Sequence, residues 1–283
     1  MTRIASKDLD RFADEHYEAI KDKLKDFPKA CKYSLEEVIK AKPHKLDEIA
    51  NWGKDKTDIY EFMINRYKNF TTKKVEYDAY DLAKKLNINV CSYCNINSTY
   101  TVIKNDNVKI TRPEFDHFYD KAQNPILALS FYNLIPSCHI CNSTLKGTDK
   151  FSIATHLNPY SDSFNEVAKF QLKIQDSTFY HSEDGFMVEL KSEDKRAKKQ
   201  IESFKLDTLY QNHKDIILEL IQKEAIYNKS YLDELMSQYE GTLFKNREDL
   251  QRLITCGYVS DEELSKRPLS KLIKDISEEL GLV

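Results

Sequence analysis

Cys91-Ser92-Tyr93-Cys94 and Cys138-His139-Ile140-Cys141 are two knuckles of identical spacing. Between them run Glu114-Phe115-Asp116-His117-Phe118 and then Asn133-Leu134-Ile135-Pro136. Asn142 follows the last cysteine directly, and Lys146-Gly147 comes shortly after. Two Cys-x-x-Cys knuckles can supply four thiolates to one tetrahedral Zn²⁺, and four thiolates leave no position open for substrate, so such a zinc is structural. A disulfide or a set of buried thiols is the competing reading. Zinc is preferred because both pairs share the spacing and because zinc–thiolate binding supplies ~10 kcal/mol of folding energy to a small subdomain. The Asp116-His117 dipeptide between the knuckles offers a metal-binding carboxylate beside a general base. Each piece alone is a weak signal; the order and spacing together are specific.

The segment from Cys91 to Lys146 resembles the HNH, or ββα-metal, endonucleases, on Cys91, Cys94, Asp116, His117, Asn133, Cys138, Cys141, Asn142 and Lys146. In that family the Asp-His ends one strand, the middle Asn lies on the next, and the last metal ligand opens a short helix. Here that last position is Asn142 where the family often has His. The resemblance implies metal-dependent hydrolysis of phosphodiester bonds, with DNA favoured over RNA as the nucleic-acid substrate. It also implies catalytic Mg²⁺ or Mn²⁺ besides the structural zinc. Chains with these motifs resemble the Septu-type and retron-linked anti-phage effectors, in which the nuclease works with an ATPase partner. A non-catalytic zinc-binding nucleic-acid or assembly module is the rival reading. It would keep the knuckles and lose the Asp-His pair, and both residues are present.

Each candidate residue has a role and a plainer alternative. His117 is expected to deprotonate water, since its reference pKa of about 6.5 suits that task, with Asp116 holding the catalytic cation. Adjacent strand residues point to opposite faces, so the pair must sit where a strand ends or twists. Asn133 is read as a buried bridge to the backbone of the preceding loop, holding His117 in place. Asn142 is the expected second metal ligand through its amide oxygen, a hard donor, against a reading as helix N-cap. His156 is the competing ligand. Lys146 is expected to contact phosphate, against a solvated lysine; His139 is expected to face solvent or phosphate. The basic run Lys195, Arg196, Lys198 and Lys199 reads as a solvated helix face or a backbone contact.

Composition bounds the rest. The 283 residues carry a net charge of −3, so any nucleic-acid surface must be a local patch. Charged residues make up 31%, and only six glycines and seven prolines interrupt them, which fits a helix-rich protein. No run of 18 apolar residues and no secretory leader is visible, so the cytoplasm is the expected location. Cys31 and Cys256 fall outside the knuckles and are read as packed small hydrophobes.

The pattern predicts an α+β chain: an N-terminal helical region over 1–86, a zinc-stapled ββα module over 87–160, and a β-hairpin plus helices over 161–283. Ser34 with Glu37 marks a capping box for a helix through Ile39. Helices are expected over 58–67 and 77–86, with Pro28 and Pro43 in connections. A hairpin turning at Asn105-Asp106-Asn107 should lead to the strand of Asp116. Ile126-Leu127-Ala128-Leu129 should pack on the core. Three β runs are expected around Phe170, Phe179 and Phe186, with Asp184-Gly185 as the turn. One long amphipathic helix is expected from Ile217 to Tyr239, and a last one over 270–280 capped by Gly281. The C-terminal helices, around Asp215–Tyr239 and Ser270–Leu280, are expected to dock on a regulatory protein partner, against a reading in which they simply pack on the nuclease core.

Overall fold

The computed structural model describes residues 2–4, 7–54, 56–72, 76–105 and 108–283. It divides into two compact units. One comprises Arg3–Tyr93 and Asn97–Asp162. The other comprises Ser163–Val283 with Cys94–Ile96 and Met1–Thr2. The N-terminal helices and the segment holding Asp116 and His117 therefore belong to one unit.

That unit begins with α1 (Leu9–Ile20), α2 (Leu35–Ile39), α3 (Pro43–Gly53), α4 (Thr57–Thr71) and α5 (Ala79–Leu86). The α2 capping box forms as the sequence indicates: Glu37 N–H donates to Ser34 Oγ at 3.2 Å, and Ser34 N–H donates to Glu37 Oε2 at 2.8 Å. Pro43 is not in a connection. It opens α3, where the missing N–H costs nothing because the first turn has no acceptor for it. Strands β1 (Val102–Asn105) and β2 (Val108–Thr111) form an antiparallel pair. The expected turn at Asp106-Asn107 lies outside the described residues. Lys109 of β2 reaches back to the capping box of α5, with Nζ 2.8 Å from Asp78 Oδ2 and 3.2 Å from Asp81 Oδ2.

Strands β3 (Glu114–His117) and β4 (Leu134–Ser137) pair antiparallel, with Asp116 opposite Ile135 and His117 opposite Leu134. The second half of the connection between them, from Asn124 to Asn133, is buried. Ile126, Leu127 and Ala128 are fully enclosed, and Ser130 Oγ donates to the Val38 carbonyl at 2.6 Å. His16 of α1 holds the same connection, its Nε2 3.0 Å from the Leu129 carbonyl. Burial pushes the His16 pKa down to about 4 from 6.5, the backbone bond only partly opposing it. Between pH 6.5 and about 4 the unfolded chain therefore binds a proton that the folded chain refuses, so stability falls on acidification. At pH 5 the loss from this one group is ~2 kcal/mol. A pH series of urea midpoints should show the loss in the wild type and a shallower slope in His16→Gln. Equal slopes would refute the assignment.

After β4 the chain enters a π-helix (Ile140–Lys146) ending at Gly147, whose φ of 51° lies in the region where a side chain is strained.

The other unit opens with α6 (Phe164–Val167) and pairs β5 (Ala168–Ile174) with β6 (Phe186–Ser192) in continuous antiparallel register. The Phe179 region is a 3₁₀ turn, Ser177–Tyr180, not a third strand, and Asp184-Gly185 closes a second short turn, Glu183–Gly185. Asp176 and Ser182 accept from the backbone at the two starts, so these polar side chains divert the backbone from pairing. Helices α7 (Lys195–Ser203), α8 (Leu206–Tyr210), α9 (Lys214–Ile226), α10 (Lys229–Tyr239), α11 (Arg247–Thr255) and α12 (Ser270–Leu280) follow. The expected single helix from Ile217 to Tyr239 is two. Tyr227 leaves the helical region and Asn228 caps α10, its Oδ1 accepting from Tyr231 N–H at 3.0 Å.

Helix α12 covers the free edge of β5. Asp275 Oδ2 accepts from Phe170 N–H at 2.8 Å and Glu279 Oε2 from Leu172 N–H at 2.9 Å, an i,i+4 pair of carboxylates matching an i,i+2 pair of edge donors. In the same unit the Tyr210 hydroxyl donates to the Cys94 carbonyl at 2.5 Å. Cys256 is exposed, not packed. It takes the left-handed position closing α11, at φ 58°. No helix among the described residues is long and apolar enough to cross a membrane.

Candidate active site and tetracysteine cluster

The four knuckle cysteines converge. The Sγ atoms of Cys91, Cys94, Cys138 and Cys141 lie within 4.8 Å of one another, all buried and none in a disulfide. A tetrahedron of Zn–S bonds of ~2.3 Å needs sulfurs about 3.8 Å apart, which this group meets with small adjustments. The knuckle backbones turn back on their own sulfurs: Ile96 N–H points at Cys94 Sγ and Cys141 N–H at Cys138 Sγ, each at 3.4 Å. Asn97 Nδ2 adds a second donor to Cys138 Sγ, at 3.5 Å. Donors aimed at sulfur favour the thiolate, the form a metal needs. Asn95 adopts φ 55°, a left-handed position that Asn tolerates. The cluster can therefore hold a metal such as zinc.

A cleft of about 300 Å³ opens beside β3. Its walls include Glu114, Asp116, His117, Asn142 and Lys146, with Arg112 and Lys121 as further cations. Glu114 and Asp116 share a strand face by the two-residue period. His117 reaches the same cleft because it is the last residue of β3, where the chain leaves the strand.

The His117 ring is fixed on two sides. Its Nε2 lies 3.0 Å from the Ala128 carbonyl, which can only accept, so Nε2 carries the hydrogen and Nδ1 the lone pair. The Tyr67 ring meets it edge-on, with centroids 4.5 Å apart. Burial pushes its pKa down to about 3, with the charges of Lys121 and Lys146 adding and the Ala128 bond opposing. The imidazole is thus neutral near pH 7 with one available lone pair.

Asn133 ties the connection that carries Ala128. Its Nδ2 donates to the Tyr119 and Leu127 carbonyls, both at 3.1 Å, and its Oδ1 accepts from Tyr119 N–H at 2.7 Å. It precedes β4 rather than lying on it, and touches no reacting position; it positions.

Asp116 is nearly sealed. Lys146 Nζ lies 2.7 Å from Oδ1 and 2.8 Å from Oδ2, and Tyr93 Oη donates to Oδ2 at 2.6 Å. Lys146 is therefore neither solvated nor open to phosphate in this state; its ammonium sits on the carboxylate expected to hold the cation. Asn142 lies inside the π-helix, with His139 in the cap position, so the N-cap reading does not apply. Its Nδ2 donates to Glu114 Oε2 at 2.7 Å, which turns Oδ1 away from that carboxylate, and no protein donor among the described residues meets Oδ1. His139 is exposed to solvent, as expected, and its Nδ1 also lies 2.7 Å from Glu114 Oε1, a bond that raises its pKa. Burial would raise the Glu114 pKa, but the bonds from Asn142, His139 and Ser143 outweigh it and hold the carboxylate low. His156 does not line the cleft. It is buried, stacked flat on Phe151 at 3.5 Å, with Nδ1 on Thr155 Oγ1.

Tyr93, Glu114, Tyr67 and the Ala128 carbonyl had no role from sequence. Tyr93 lies inside the first knuckle and Glu114 two residues before Asp116, so local spacing could have flagged both. Tyr67 and Ala128 meet His117 only through the fold.

No protein-family model, no curated protein and no solved structure matches this chain.

Proposed function

We propose that this chain is an HNH-type endonuclease that hydrolyses phosphodiester bonds in nucleic acid, DNA before RNA. The observation that carries the reading is the convergence of a neutral, tautomer-fixed His117 and the Asp116 carboxylate in one cleft walled by Arg112, Lys121 and Lys146. The strand–strand–helix order of β3, β4 and the π-helix, with two cysteine knuckles around it, supports this reading.

In this reading His117 Nδ1 takes the proton of the attacking water. The depressed pKa belongs to the cleft without substrate; a phosphodiester anion beside the ring favours the imidazolium and raises it toward the working range. Asn133 and the Ala128 carbonyl keep the ring aimed. Arg112 and Lys121 hold nonbridging oxygens. Asp116 and the free amide oxygen of Asn142 are the hard donors that would hold Mg²⁺ or Mn²⁺. The fit is supported by the cation already seated there, the Lys146 ammonium. When bound, the divalent ion supplies charge that offsets the phosphate and the leaving oxygen.

The biological setting, anti-phage defence with a regulatory protein partner such as an ATPase, follows from the resemblance. The test is to incubate purified protein with plasmid, single-stranded DNA and tRNA in Mg²⁺, Mn²⁺ or EDTA. Cleavage that EDTA stops supports the reading. Intact substrates in every condition, with binding retained, favour the non-catalytic zinc module.

A further inference from the structure

We infer that Lys146 is a built-in counter-cation that holds the Asp116 carboxylate until a divalent ion displaces it, so that ion binding and release of the Lys146 ammonium into the cleft are one exchange. The inference deepens the reading above and rests on it in one respect, the role of Asp116 as a ligand.

Lys146 Nζ donates to both Asp116 oxygens and to the His117 carbonyl, the last at 2.5 Å. The two side chains are 3% and 5% exposed, so the pair is shielded from water. A buried carboxylate without a compensating charge is strongly disfavoured. Something must neutralise Asp116, and in the free protein Lys146 does. The same oxygens cannot also serve a divalent ion. Mg²⁺ binds oxygen at ~2.1 Å, and an ammonium within 2.8 Å of both oxygens fills that space and repels a second cation.

The geometry also says how the exchange is possible. Lys146 is the last residue of the π-helix, on a four-carbon stem, with the unstrained turn of Gly147 directly after it. Its ammonium lies 4.8 Å from the Phe151 ring centre, an apolar wall that does not compete with a carboxylate. Glu114 is already engaged by His139, Asn142 and Ser143, which makes it a weaker alternative partner. A displaced ammonium is left with the cleft, where an anionic phosphate is the compensating charge. The device thus links cation entry to readiness for substrate, and a chain without divalent ion keeps its site closed.

The test measures Mn²⁺ binding to the zinc-loaded full chain by calorimetry, wild type against Lys146→Met. Removal of the competitor should tighten Mn²⁺ binding at least tenfold. Equal or weaker binding, or none in either protein, overturns the inference. If Lys146→Met does not fold, the wild type answers alone. Acetylation of lysine amines, followed by mass spectrometry, should be slow at Lys146 without divalent ion and at least tenfold faster with Mn²⁺. Lys271, a second buried ion-paired lysine among the described residues, should stay slow in both. No acceleration at Lys146 overturns the exchange. EDTA-sensitive cleavage without either effect would sink this inference and leave the nuclease reading standing; exchange without any cleavage would do the reverse.

Discussion

Replacing Cys94 with serine is expected to remove zinc from the protein and to prevent the chain from reaching its folded state. The sulfurs of Cys91, Cys94, Cys138 and Cys141 sit within 4.8 Å of one another, and three of the four residues are fully enclosed. Without a metal, this is a cluster of four buried thiols. With one, it is a cross-link between residues far apart in sequence. Structural zinc contributes ~10 kcal/mol or more, comparable to the whole stability of an ordinary domain. Loss of one thiolate should therefore show as low solubility and a lost melting transition, not as a modest shift. Elemental analysis of the wild type should find one zinc per chain. Cys256→Ser is the control: that thiol is exposed, and its loss should stay within ~0.5 kcal/mol. Wild-type protein that contains no zinc, or that carries a Cys91–Cys94 disulfide, would defeat the cross-link.

The parts of the fold legible in sequence are those whose physics is local. The capping box of Ser34 and Glu37, the Gly281 cap and the β1–β2 hairpin each depend on residues a few positions apart. Helix α3 escaped notice because Pro43 reads as a breaker unless its place at the first turn is known. The break between α9 and α10 was hidden because apolar residues keep their spacing through Tyr227, while Asn228 acts as a cap. In the cleft, residue types and spacing marked Asp116, His117 and Asn142, but partners could not be read. Lys146 finds Asp116 across thirty positions, and only burial turns a plausible phosphate contact into an ion pair. His117 owes its tautomer to a carbonyl on a connection whose path the tertiary fold sets. Candidate residue types and their spacing were visible in the sequence; which atom faces which was not.

Replacing His117 with alanine is expected to lower the cleavage rate by ~10³-fold, within the range that removal of a general base commonly costs. The structure adds a qualification that sequence alone does not. His117 is buried, its Nε2–H satisfies the Ala128 carbonyl, and Tyr67 packs on its edge. Truncation leaves that carbonyl unpaired and a cavity beside the ring, costing ~1–3 kcal/mol of stability. A lower melting temperature is thus expected alongside the lost activity. The deciding controls are zinc content and Mn²⁺ affinity, which should stay close to wild type because neither ligand set includes His117. Free imidazole offers a second discrimination. The cavity has the shape of the ring that was removed, and an added imidazole can take up the proton of the attacking water there. Partial recovery with imidazole, rising with its unprotonated fraction as pH increases, would identify proton transfer as the missing function. A residual rate within tenfold of wild type would show that the base lies elsewhere in the cleft.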